Sequence, residues 1–211
     1  MYKVGIILND EVDNLVKKRA DIMGTSKRNV ISLALTDILD ENIKREYLDQ
    51  LSETITGLKI PLVITVSEGL HKKIKEFNRR GYSIRVFLGL LICDYYYKNY
   101  SFLTDNKHES INRIHEKSRE YIKPAIDSEV KKKIVKYCNE NSFTINSLFA
   151  QYILEKDLVV REYEIKEEAL LRLNFSNELK KKIDIKINEM SINYRTYLNL
   201  IATQICLDLN L

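Results

Sequence analysis

The chain has 211 residues, 45% of them hydrophobic and 30% charged, with only two prolines and six glycines. That composition excludes a disordered chain and favours a soluble, helix-rich protein of one large or two modest domains. A net charge of +4 permits a nucleic-acid partner without demanding one, so any basic surface must come from arrangement.

The opening MYKVGIILNDE lacks the basic segment and cleavage pattern of a secretion signal. Val4, Ile6 and Leu8 alternate with Lys3, Gly5 and Ile7, which predicts a strand with one buried face. Asn9 then offers a side-chain oxygen to a first helical turn, and Val12 and Val16 follow at helical spacing. After Met23-Gly24-Thr25, Ser26 is a second capping residue, ahead of Val30, Ile31 and Ala34 on one helix face. Residues 40–56 predict an extra charged helix with Ile43, Tyr47, Leu51 and Ile55 on one side.

The same order returns three times. At 60–97 it runs through Leu62, Ile64 and Val66, cap Ser67, then Leu70 and Ile74, cap Ser83, then Phe87, Leu88 and Leu91. The apolar run VFLGLLIC at 86–93 is too short to span a bilayer. YYYKNYSF (95–102) is expected to pack between domains rather than to stack on bases, and 104–119 reads as a polar linker helix at a domain boundary.

At 120–156 the strand residues are Ile122, Pro124 and Ile126 and the caps Asp127 and Thr144. At 169–208 they are Leu171, Leu173 and Phe175, with caps Ser176 and Asn193. The octets SEGLHKKI, DSEVKKKI and SNELKKKI, which begin at Ser67, Asp127 and Ser176, are the plainest trace of this repetition. Each unit reads strand, cap, helix, turn, cap, helix. Such a unit cannot fold alone, because its strand has no ladder partner and its core is too small.

This layout resembles the ribbon-helix-helix family, the Arc/MetJ-type DNA-binding proteins, over about three-quarters of the chain. The resemblance implies a mainly α fold with short β ribbons, in which strands pair antiparallel and enter the DNA major groove. Four repeats imply two intramolecular pseudo-dimers, residues 1–103 and 120–211, with unit one paired to two and three to four. It further implies base contacts from Lys3, Thr65, Tyr121, Lys123, Arg172 and Asn174. Phosphate contacts fall to the second-helix starts: Ser26, Lys27, Arg28, Ser83, Arg85, Thr144, Asn146, Asn193 and Arg195. Arginine in a first helical turn opposes the helix dipole, so Arg28, Arg85 and Arg195 favour an anionic partner. Gly5, Ile7, Pro61 and Val63 depart from the family pattern, so the first ribbon is expected to meet a protein, thymine methyls, or an assembly partner.

The lysine runs at Lys72–Lys73, Lys131–Lys133 and Lys180–Lys182 read as a solvated face. Cys93, Cys138 and Cys206 are scattered and odd in number, which fits a reducing cytoplasm and buried apolar roles. His71, His108 and His115 have no metal spacing, there is no glycine-rich phosphate loop, and no cofactor or enzymatic activity is expected. The expected function is sequence-specific double-stranded DNA binding, as a transcriptional repressor or a bacterial plasmid or phage accessory regulator. The chain would act as a monomeric pseudo-tetramer in the cytoplasm, away from membranes. The alternatives are a protein-interaction or assembly module that has lost DNA reading in one or both pairs, and an all-α bundle.

Overall fold

The computed structural model describes residues 1–39, 43–76, 79, 81–104 and 121–211. The expected linker helix, apart from Thr104, lies outside them, as do His108 and His115. Nine α-helices and four strands are described, in the order β1 (Tyr2–Leu8), α1 (Asp10–Ile22), α2 (Lys27–Ile38), α3 (Arg45–Thr54), β2 (Ile60–Val66), α4 (Glu68–Glu76), α5 (Ile84–Tyr100), β3 (Ala125–Asp127), α6 (Ser128–Asn141), α7 (Ile145–Glu155), β4 (Glu168–Leu170), α8 (Asn177–Met190) and α9 (Tyr194–Asp208). A 3-10 turn at Ser101–Leu103 follows α5. The elements fall into two compact units, β1 to the 3-10 turn and β3 to α9.

All eight capping residues do what their chemistry allows. Asn9, Ser26, Ser67, Ser83, Asp127, Thr144, Ser176 and Asn193 each accept the backbone N–H three residues on, at 2.8–3.3 Å. Each bond satisfies a donor that the helix itself leaves orphaned, and each contributes about 1 kcal/mol. At Thr144 the arrangement is reciprocal, because Ser147 Oγ accepts the Thr144 N–H in return.

In the first unit β1 and β2 pair antiparallel over seven residues, from Tyr2 opposite Val66 to Leu8 opposite Ile60. Val4, Ile6, Leu8, Ile64 and Val66 turn inward and are buried, while Leu62, opposite Ile6, is half-buried. They pack with Leu70, Ile74, Phe87 and Leu88. α5 crosses β1 so closely that a Cβ on Gly89 would lie 2.1 Å from the Ile7 carbonyl oxygen. Only glycine fits that crossing. α3 adds Leu48 and Leu51 to the core and bonds Tyr47 to Asp94 of α5.

The tyrosines at the end of α5 serve the interior of the first unit. Tyr96 and Tyr100 are buried beside Arg19 of α1, whose guanidinium carbon lies 4.2 Å from the Tyr100 ring centroid. The aromatic face offsets part of the cost of burying that charge. Tyr95 donates to Asp37 at 2.7 Å, and Tyr97 accepts from Asn9 and donates to Glu11.

In the second unit β3 and β4 pair at Ala125–Leu170, Ile126–Ala169 and Asp127–Glu168, with an isolated bridge at Ile122–Leu173. The strands are shorter than the apolar alternation at 122–126 and 171–175 predicts. Pro124 is the reason. It accepts from the Leu171 N–H but has no N–H to return, so the ladder is broken between the bridge and β3. The buried face is nonetheless continuous, through Pro124, Ile126, Leu171, Leu173 and Phe175.

Two glycines of the first unit separate crowding from backbone freedom. Gly89→Ala is expected to lower stability by about 1–3 kcal/mol or more, as overpacking does. Gly5→Ala, whose Cβ would meet nothing within 4 Å, should stay within about 0.5 kcal/mol of wild type. Urea unfolding of the two variants checks this. Equal midpoints would contradict the close crossing.

Candidate nucleic-acid interface

Both ribbons are centred at the same distance from their first-helix caps. The fourth residue before one first-helix cap stands opposite the fourth before the other: Gly5 faces Val63, and by the same count Lys123 faces Arg172. Side chains alternate across a strand, so these central pairs and those two residues away point away from the core. Each outer face therefore has three cross-strand pairs. In the first ribbon they are Lys3–Thr65, Gly5–Val63 and Ile7–Pro61. In the second they are Tyr121–Asn174, Lys123–Arg172 and Ala125–Leu170.

The second ribbon places two cations together. Ile122 and Leu173 exchange both backbone hydrogen bonds at 2.9 Å, and Leu171 donates to Pro124. Lys123 and Arg172 lie between those bonded positions, in the class of pair whose side chains approach most closely. Both are exposed, and no hydrogen bond or ion pair engages either side chain among the described residues. Like charges directly opposite one another destabilise a ribbon. Tyr121 is 48% exposed and Asn174 half-buried beside them.

The first ribbon is different. Lys3 is exposed and Thr65 half-buried at one end, while Val63 at the centre is 63% exposed and Pro61 is exposed at the other end. Tyr2 stacks on His71 of α4 with ring centroids 4.2 Å apart.

The second-helix starts divide between the two units. In the first unit Arg85 is exposed, and Arg28 is half-buried with its Nε buried and unbonded. Lys27 is tied to Asp13 at 2.7 Å. In the second unit the corresponding side chains are engaged within the protein. Asn146 accepts the Asn174 N–H at 2.7 Å and donates to the Asn174 carbonyl at 2.5 Å. Arg195 pairs with Glu168. Ser26, Ser83, Thr144 and Asn193 are all capping. The sequence places these residues at helix starts but carries no sign of which strand or carboxylate lies within reach of each.

One residue with a structural part in the site has only a weak sequence signal. Asn199 is a buried amide within the apolar face of α9, and it donates to the Ala125 carbonyl at 3.0 Å and the Arg195 carbonyl at 2.8 Å. It fixes α9 to β3 and so to the ribbon. A polar residue in the middle of an otherwise apolar helix face is the feature that marks it.

Burial pushes Cys93 up to about 11 and Cys138 up to about 12. Among the described residues no group of three or more His, Cys, Asp and Glu side chains could hold a metal ion. No helix among them is long and apolar enough to cross a membrane. No protein-family model matches the chain, and neither the curated proteins nor the solved structures contain a significant match to it.

Asp127 is the most heavily used carboxylate beside the second ribbon. Its oxygens accept the N–H groups of Lys166 at 2.9 Å, Val130 at 3.2 Å, Glu167 at 3.4 Å and Glu129 at 2.9 Å. These bonds, the one from Lys166 first, hold its carboxyl below the usual value. A lowered folded-state pKa gives stability that is present above about pH 4 and lost as pH falls through the folded pKa. The stability gap between wild type and Asp127→Asn should therefore be widest near neutrality and shrink in acid. A gap that is constant with pH in denaturation experiments would contradict this.

Proposed function

We propose that the chain consists of four ribbon-helix-helix repeats folded as two pseudo-dimers, and that it binds double-stranded DNA sequence-specifically through its second ribbon. On this reading it is a transcriptional repressor or an accessory regulator of a plasmid or phage, and not an enzyme. The observation that carries the reading is the Lys123–Arg172 pair. Two exposed cations held opposite each other on a paired strand cost stability unless an acceptor-rich partner sits against them. Guanine O6 and N7 in a major groove are such acceptors, and adenine N6 and N7 suit the amide of Asn174 next to them. The width of a two-stranded ribbon also matches the groove. The shared centring of the two ribbons, four residues before each cap, supports a common repeat.

Asn146 and Arg195 hold the second ribbon in place on this reading, and Arg28 and Arg85 would meet phosphate only where the first unit itself contacts DNA. A second reading applies to the first unit alone. Its exposed apolar centre, Val63 opposite Gly5, favours docking of a protein partner or assembly over base reading.

A duplex selected from a random pool by the full chain tests the proposal. Arg172→Ala should weaken binding to that duplex by about 1–3 kcal/mol and relax the preference at one base position. The logarithm of the affinity should fall linearly with that of salt, at about 0.9 per phosphate contacted. A uniform loss over all sequences would remove Arg172 from base reading.

A further inference from the structure

Each ribbon has a polar end and an apolar end, and the order is the same in both. The earlier strand's residue six before its cap, with its partner, forms the polar end: Lys3–Thr65 and Tyr121–Asn174. The residue two before the cap forms the apolar end: Ile7–Pro61 and Ala125–Leu170. Leu170 is 63% exposed although it lies on the same face as the Lys123–Arg172 pair and two residues from Arg172. An exposed leucine beside two cations gains nothing from water.

The surroundings of this apolar end leave it open to an anionic partner. Lys131 Nζ donates to the Leu170 carbonyl at 2.9 Å and sets a further cation beside this end, Arg195 pairs with Glu168, and Asp127 keeps its charge under four backbone N–H donors. Two residues along a strand span about 7 Å, the rise of about two base pairs. A ribbon that sets Lys123 and Arg172 on guanine thus brings Ala125 and Leu170 over bases about two steps away. The apolar group that a base pair offers in the major groove is the C5-methyl of thymine.

Resting on the DNA-binding reading above, we propose that Leu170, with Ala125 opposite, reads thymine methyl groups. The site then has a direction: adenine toward Asn174, guanine at the centre, thymine toward Leu170. Such a site is not palindromic, although the ribbon that reads it is nearly symmetric in backbone.

Single thymine-to-deoxyuridine replacements in the selected duplex test this, because they remove the methyl and keep every hydrogen-bonding group. Replacement at one or two adjacent positions on one side of the central guanine should weaken binding of the full chain about fourfold for each methyl. Leu170→Ala should bring that ratio to about one while leaving the penalty for 7-deazaguanine at the centre unchanged. If no deoxyuridine matters while 7-deazaguanine still weakens binding, methyl reading is overturned and DNA reading stands. A thymine-to-deoxyuridine ratio that is the same in wild type and Leu170→Ala also overturns it. If no duplex is preferred at any salt concentration, the DNA-binding reading falls and this inference with it.

Discussion

The pairing of distant strands is the constraint on which the rest of the molecule depends. β1 meets β2 across more than fifty residues of chain, and β3 meets β4 across about forty. Neither strand of a ribbon has another partner among the described residues. Each ribbon's inner face is the floor on which the helices pack, so losing the pairing would expose Ile6, Leu8, Ile64 and Val66 in one unit and Ile126 and Leu173 in the other. Pairing also decides which side chains stand together outside. The strand period of two makes the inner and outer faces consequences of a single register, and a slip of one residue would exchange them.

The outer faces are free for the chemistry we propose because the inner faces are committed to stability. In the second ribbon the register brings together Lys123 and Arg172, which are 49 residues apart in the chain. The helices act by holding this geometry. Asn199 ties α9 to one strand, Asn146 ties α7 to the other, and Arg195 anchors the start of β4 through Glu168. Asn146 and Arg195, to which the resemblance assigns phosphate contacts, brace the ribbon in the second unit. In the first unit Arg85 is exposed and Arg28 half-buried, and no strand or carboxylate among the described residues engages either side chain.

What the sequence made legible follows from how local the physics is. A cap needs only its own side chain and the N–H three residues on, and all eight caps could be read from residue type and spacing. Alternation of apolar residues likewise marks the buried strand faces, with Leu62 and Ile122 only half-buried. Contacts between distant elements were not legible. Nothing in the neighbours of Gly89 announces the Ile7 carbonyl, and nothing beside Arg195 announces Glu168. The partners of the α5 tyrosines were illegible for the same reason: Arg19 and Asp37 lie on other helices of the first unit. The effect of Pro124 was legible in principle, since a missing donor interrupts any ladder.

The most direct test is a cross-strand disulfide at the centre of the second ribbon. Lys123→Cys with Arg172→Cys should close within one molecule under mild oxidation, because that pair lies opposite and between hydrogen-bonded positions. Lys123→Cys with Leu170→Cys, displaced along the strand, should stay reduced under the same conditions. Closure of the displaced pair, or disulfides only between molecules, would contradict the register from which the outer face is built.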